Sequence, residues 1–157
     1  MTNAYYPAIF KRKSFHLFRN TGEEKLDASE LSEIESAWAS FEPLCPGIKT
    51  AIRIVPARKV NFKRDAEYCI LLYSENRDNY LANIGYLGEQ LDLYLVSRDI
   101  GTLWFGIGRP DEPAWDDLEF VIMIAIRKIA DASLFRKTCS PPNGRLFLRS
   151  GPGTRSA

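Results

Sequence analysis

Histidine is almost absent from this chain. His16 stands alone among 157 residues, which excludes a multi-histidine metal site and leaves a Cys/His site poorly supplied. Cysteine is scarce too. Cys45, Cys69 and Cys139 form no CxxC pair and leave one thiol over under any pairing, which fits a reducing cytosol better than a disulfide scaffold. Long apolar runs are missing: the longest, residues 120–126, is too short to cross a bilayer, and residues 1–10 lack the apolar stretch of a signal peptide. Nor does one sign of charge dominate. A net charge of +1 sets up no global field toward nucleic acid or an anionic membrane. Neither a Ser-His-Asp set nor a Walker P-loop is available. These absences leave the expectation of a cytoplasmic single domain, long enough to bury a real core.

What is present is patterned. Residues 5–13 read as a short amphipathic helix running into a basic turn. Asp27, with Glu30 three residues on, is an N-cap arrangement. Leu31, Ile34, Trp38 and Phe41 then repeat at helical spacing, so a surface helix is expected over 27–41, ended by Pro43 and Pro46. Residues 50–56 set Ile52 and Ile54 on one face and Arg53 on the other, a half-buried strand. Residues 67–73 are a continuous apolar run suited to a sheet interior. Asp78 or Asn79 can cap a long helix carrying Leu81, Ile84, Leu87, Leu91, Tyr94 and Leu95, ending near Arg98 with Gly101 just beyond. Its wide apolar surface predicts a mostly buried central helix. Gly85 and Gly88 each weaken that helix by roughly 1 kcal/mol relative to alanine. Two such residues suggest a close approach by another backbone or a flat ligand, with a tight helix–helix contact as the plainer account. Residues 102–107 and 118–126 are further strands, joined by the polar loop 108–117. The order is an α+β pattern, with mixed pairing expected.

Composition changes near the end. From residue 131 onward there are five basic side chains, one acid and three prolines, while the body up to Ala130 holds sixteen basic and nineteen acidic residues, net −3. Residues 138–157 keep no periodicity and are expected to be disordered.

Three clusters are candidates for chemistry. Arg12, Lys13, Ser14 and His16 gather two cations, a hydroxyl and an imidazole at a helix end, donors suited to a phosphate dianion. A solvated basic turn accounts for the same residues. The stretch Gly106-Ile107-Gly108-Arg109-Pro110 begins like a dinucleotide fingerprint, but the third glycine and the following helix are missing, which excludes a Rossmann site. A glycine turn after a strand still lets a planar ring approach the backbone; a simple loop is the alternative. Glu89 and Asp92 sit three apart on the long helix, where paired carboxylates can do acid–base work; they are expected instead on its solvent-facing polar stripe. Cys69 lies in an apolar run and reads as inert core.

Taken together these segments resemble a known family. IFKRKSFHLF at 9–18 resembles the Arg-x-Ser-x-Arg opening of FMN-dependent nitroreductases. NIGYLGEQLDLYL at 83–95 and IGTLWFG at 100–106 resemble their central helix and the strand after it. With the strand at 67–73, the similarity spans roughly residues 5–137 and points to the branch called TM nitroreductases. The resemblance implies an α+β nitroreductase fold with a long central helix packed on a mixed sheet, and FMN held at a subunit or pseudo-subunit interface. It implies NAD(P)H as electron donor and a small-molecule acceptor such as a nitro compound or quinone. By position, Arg12, Lys13, Ser14 and His16 would hold the FMN phosphate and ribityl chain, and Phe105, Gly106, Ile107 and Gly108 would lie near the flavin ring or ribityl group. Lys13 and His16 stand where family members commonly carry arginine or lysine, and a neutral imidazole grips phosphate less strongly.

The branch also continues into a further half bearing an Asn-x-Gln-Pro-Trp motif, which nothing here matches. Residues 1–137 are therefore expected to be the N-terminal part of such a domain, and 138–157 a divergent or frameshifted tail. On that view FMN binding is weak, and apolar surface on the helix at 81–95 is left open to homodimerisation or other association. The alternative from another class is a non-catalytic binding domain that keeps the fold without the cofactor. Nucleic-acid binding through Lys11, Arg12 and Lys13 is disfavoured by the net acidic body, and no membrane partner is expected.

Overall fold

The continuous apolar run of the sequence lies at the interior of a sheet. The structure, a computed structural model, describes residues 5–62, 64–111 and 113–136; the tail at 138–157 lies outside them. Helices α1 (Tyr6–Lys11) and α2 (Ala28–Ser40) precede strand β1 (Thr50–Pro56) and a 3-10 turn (Ala57–Lys59). Strand β2 (Tyr68–Ser74), helix α3 (Tyr80–Ser97) and strand β3 (Ile100–Phe105) follow. The short β4 (Ala114–Trp115), the long β5 (Leu118–Lys128) and a 3-10 turn (Ala132–Leu134) complete the described elements.

The sheet order is β1-β2-β5-β3, with β4 paired to the start of β5. Every strand pair is antiparallel, which corrects the expectation of a mixed sheet. The reason is topological. Helix α3 carries the chain from β2 to a β3 that runs in the same direction, but β5 inserts between them and opposes both. A parallel contact survives as an isolated bridge from Ser14 to Thr102 on the outer edge of β3.

Period-two alternation divides the core between the faces of the sheet. Ile70, Leu72, Ile124 and Ile126 pack with Ile34 and Trp38 of α2 and Ile84, Leu87, Leu91 and Leu95 of α3. Their alternates Cys69, Leu71, Tyr73, Met123 and Ala125 pack with Phe15, Phe18, Phe62 and Phe135. Both faces are covered, so β2 and β5 lack the polar alternation of a solvated strand. Each fully buried Leu or Ile contributes about 1.5–3 kcal/mol.

Helix α2 begins with the expected capping box: Asp27 accepts from the Glu30 N–H, and the Glu30 side chain accepts from the Asp27 N–H. The other helix ends depart from expectation. Asn79 precedes α3 in a left-handed conformation, with no side-chain cap bond. At the far end it is Asp99, at φ 58°, that turns left-handed. Gly101 lies within β3 instead, where a Cβ would come within 2.9 Å of Phe15 and Ile129 atoms, so it is kept small by packing. Helix α3 is mostly buried, as its apolar width implied. Leu81 alone of its large apolar residues is well exposed, at 60%, so the open apolar surface expected at 81–95 is absent. Helix α2 covers the flank of Ile84 and Leu91, while Leu93 and Val96 join the cluster that holds Ala8 of α1.

Candidate functional site

Helix α1 stops because Arg12 leaves helical geometry, at ψ 136°. The segment after it runs extended along the edge of β3: Phe15 N–H donates to the Thr102 carbonyl at 2.9 Å, and Ser14 forms the parallel bridge with the same residue. Phe15 anchors it from below, buried against Phe18 and Phe135. Alternation along an extended chain sends neighbouring side chains to opposite sides. Lys13 accordingly turns toward the C-terminal side of the fold, donating to the Leu134 carbonyl at 2.9 Å with its ammonium 5.3 Å from the centre of the Phe15 ring. Arg12 turns the other way, toward α3.

There it meets Asp92. The Arg12 Nε–H donates to Asp92 Oδ2 at 2.6 Å, Trp104 Nε1–H donates to the same oxygen at 2.8 Å, and the Thr102 hydroxyl donates to Oδ1 at 2.5 Å. The Asp92 side chain is 0% exposed, which overturns its expected place on a solvent-facing stripe. An unpaired carboxylate would be several kcal/mol too costly there; three donors from two segments, the loop after α1 and strand β3, compensate it. Glu89 does face solvent, its side chain 49% exposed with Oε1 3.7 Å from Arg12 Nε. Burial works against the Arg12 charge, but the Asp92 carboxylate, its hydrogen bond and Glu89 outweigh it and raise the Arg12 pKa above its ordinary value. Burial also raises the Glu89 pKa; Arg12 opposes this and Asp92 adds to it.

The second candidate patch begins where β3 ends. Phe105 packs edge-on against Phe62, ring centres 4.9 Å apart. The loop after it is tied down: Gly108 N–H donates to the Phe105 carbonyl, Arg109 donates through its guanidinium to the Gly108 carbonyl at 2.7 Å, and its N–H reaches Asn61. Gly108 is buried, and a Cβ there would lie 2.5 Å from Met123, so its smallness serves the protein's own core. Gly106 faces open space and Ile107 is 77% exposed. Of the four residues expected near a planar ligand, Gly106 and Ile107 are thus the ones with an unobstructed surface. The patches are the two ends of one strand, further joined by Arg64. Its guanidinium lies 5.5 Å from the Phe105 ring centre and donates to the His16 carbonyl at 2.7 Å.

Arg12 and Ser14 therefore share one edge and Lys13 is directed elsewhere, while exposed His16 follows at a bend, where its carbonyl accepts from Arg64. Sequence reading missed Arg64, Thr102 and Trp104, and misplaced Asp92. A signal for Asp92 was present: Gly88 and Asp92 are four apart and share a helix face, so a residue kept small at Gly88 marks that face as packed. Among the described residues no His, Cys, Asp and Glu group could hold a metal ion, and no helix is long and apolar enough to cross a membrane.

An antiparallel sheet covered on both faces, with a buried central helix and an extended basic segment bridged to its edge, is an α+β fold shared with solved nitroreductases. A nitroreductase family protein of Clostridium difficile matches with a TM-score of 0.61 at 14% identity, covering 83% of this chain and 86% of its own. A nitroreductase with bound FMN from Desulfitobacterium hafniense matches with a TM-score of 0.58 at 13% identity, covering 83% and 92%. A “putative nitroreductase” of Thermotoga maritima gives 0.55 at 20% identity, covering 87% of this chain but 52% of that one. No curated relative matches the chain by sequence. The family model described as “Putative TM nitroreductase” matches residues 4–144, and the chain belongs to that family.

Proposed function

We propose that this chain holds FMN for an oxidoreductase that draws electrons from NAD(P)H and delivers them to nitro compounds, quinones or other electron-poor small molecules. The donor set at the β3 edge carries this reading. Arg12 commits its Nε to Asp92, and its terminal nitrogens make no hydrogen bond among the described residues. The exposed Ser14 and His16 side chains likewise have no hydrogen-bond partner there. Those groups fit a phosphate monoester, which takes charge-assisted bonds from just such donors. In this reading Arg12, Ser14 and His16 hold the phosphate and ribityl end. Lys13, turned to the Leu134 carbonyl, is left out of that set, and the surface at Phe105, Gly106, Ile107 and Gly108 borders the ring. When bound, the flavin supplies the two-electron redox chemistry, and the protein contributes position and field. No nucleophile is required of the chain. The proposed setting is the cytoplasm, supported by the unbridged Cys45 and Cys69.

One observation favours a second reading, a fold that binds without the cofactor: Glu89 brings a second carboxylate within 3.7 Å of Arg12. Turnover separates the two. Consumption of NADH or NADPH with a nitroarene or quinone acceptor is expected to depend on added FMN, and a rate indifferent to FMN favours the second reading.

A further inference from the structure

We infer that Asp92 is a positioning residue, which grips Arg12 from inside the fold so that the terminal guanidinium nitrogens are held toward an anion at the Ser14 edge of β3. The inference rests on the flavin reading above, with the phosphate monoester of the flavin as the anion.

A buried carboxylate is a poor choice for stability alone, since apolar replacements of buried ion pairs are often neutral or stabilising. What the carboxylate does here is accept three donors at once. Thr102 and Trp104, both on β3, fix its two oxygens, and the helix α3 that carries it is packed into the core. Arg12 is thus held by two rigid elements although it belongs to a loop, the arrangement that keeps a binding group in one geometry. The mode of attachment matters. An arginine fork has five donors; bonding through Nε alone leaves the four N–H donors of the terminal amino groups unclaimed by Asp92, on a side chain that is 32% exposed. Thr102 serves both sides of the site, since its hydroxyl orders Asp92 while its backbone bridges Ser14.

Charge alone argues the opposite way. Asp92 and Glu89 together place two carboxylates against one guanidinium, so an Arg12 that acted only as a positive charge would bind phosphate better without Asp92. The two accounts of Asp92→Asn therefore differ in sign. Positioning predicts that FMN binds roughly tenfold more weakly, the scale of one charge-assisted hydrogen bond lost. Riboflavin, which lacks the phosphate, is predicted to bind the variant as it binds the wild type. Glu89→Gln removes charge without touching the grip, and is predicted to bind FMN at least as tightly as the wild type.

The experiment titrates FMN and riboflavin into the full chain and each variant by fluorescence quenching, with thermal melts alongside. Trp104→Phe removes one donor to Asp92 and keeps its charge; it gives a smaller loss confined to FMN, and decides the matter if Asp92→Asn does not fold. Unchanged or tighter FMN binding by Asp92→Asn overturns the inference. Equal losses for FMN and riboflavin overturn it too, because they mark a merely structural role. A wild-type chain that binds neither ligand removes the flavin reading itself, and that failure is visible before any variant is compared.

Discussion

Glu89 and Cys69 show how burial sets chemistry side chain by side chain. The Glu89 carboxyl is raised above its ordinary 4.5, by burial first, with Arg12 opposing. A raised carboxyl favours the folded state while protonated, so its contribution is full below the unfolded pKa and is lost as pH rises through the folded value. Wild type should therefore lose stability relative to Glu89→Gln as pH climbs past 4.5. The loss should stay below about 1 kcal/mol because solvent screens a half-exposed group. Paired thermal melts across the acid range check this, and a difference that shrinks with rising pH contradicts it. The Cys69 thiol is pushed up to about 12 by burial, far from the thiolate that reacts. A thiol reagent should label the half-buried Cys45 in the native protein and reach Cys69 only after denaturation. Mass spectrometry of the labelled peptides reads the outcome directly.

Helix α3 is the element on which the site is built, and its two glycines test how it is packed. A Cβ at Gly88 would lie 2.5 Å from the Trp104 ring and 3.2 Å from Leu72, so the flat group approaching this helix is the protein's own indole. Gly88→Ala should cost about 1–3 kcal/mol through overpacking and disturb the Trp104 bond to Asp92. Gly85 faces open space, and Gly85→Ala should stabilise by roughly 0.5–1 kcal/mol. Denaturant melts of the two variants separate them; equal effects would mean the helix is rotated from this position. Periodicity made α2, β1, β2 and α3 readable, because their apolar spacing follows directly from the faces they bury. It could not show that β5 inserts between β2 and β3, since strand order depends on long-range pairing. The same limit hid Asp92. A carboxylate three residues from Glu89 looks like surface until Arg12, eighty residues earlier in the chain, is brought to it. The Arg-x-Ser pattern marked the opening segment, but nothing in it showed that Lys13 would turn to Leu134 while Arg12 turned to α3.

At the scale of the whole molecule, family membership and fold agree with the opening motif, and the two candidate patches prove to be opposite ends of β3. The central helix, expected to offer an open apolar face for association, is instead covered by α1 and α2. The proposed function puts ligand recognition at the exposed edge where Arg12, Ser14 and His16 lie, with Gly106 and Ile107 at the other end of the same strand. Its most direct test is equilibrium binding of FMN. The wild-type chain should quench FMN fluorescence saturably. The comparison is Arg12→Ala combined with Asp92→Asn, because removing Arg12 alone leaves a buried charge uncompensated. The double variant should bind about 10–100-fold more weakly, the loss of about 1.5–3 kcal/mol expected for hydrogen bonds to a charged group. Equal affinity in the two proteins, or no saturable quenching by the wild type, would contradict the account.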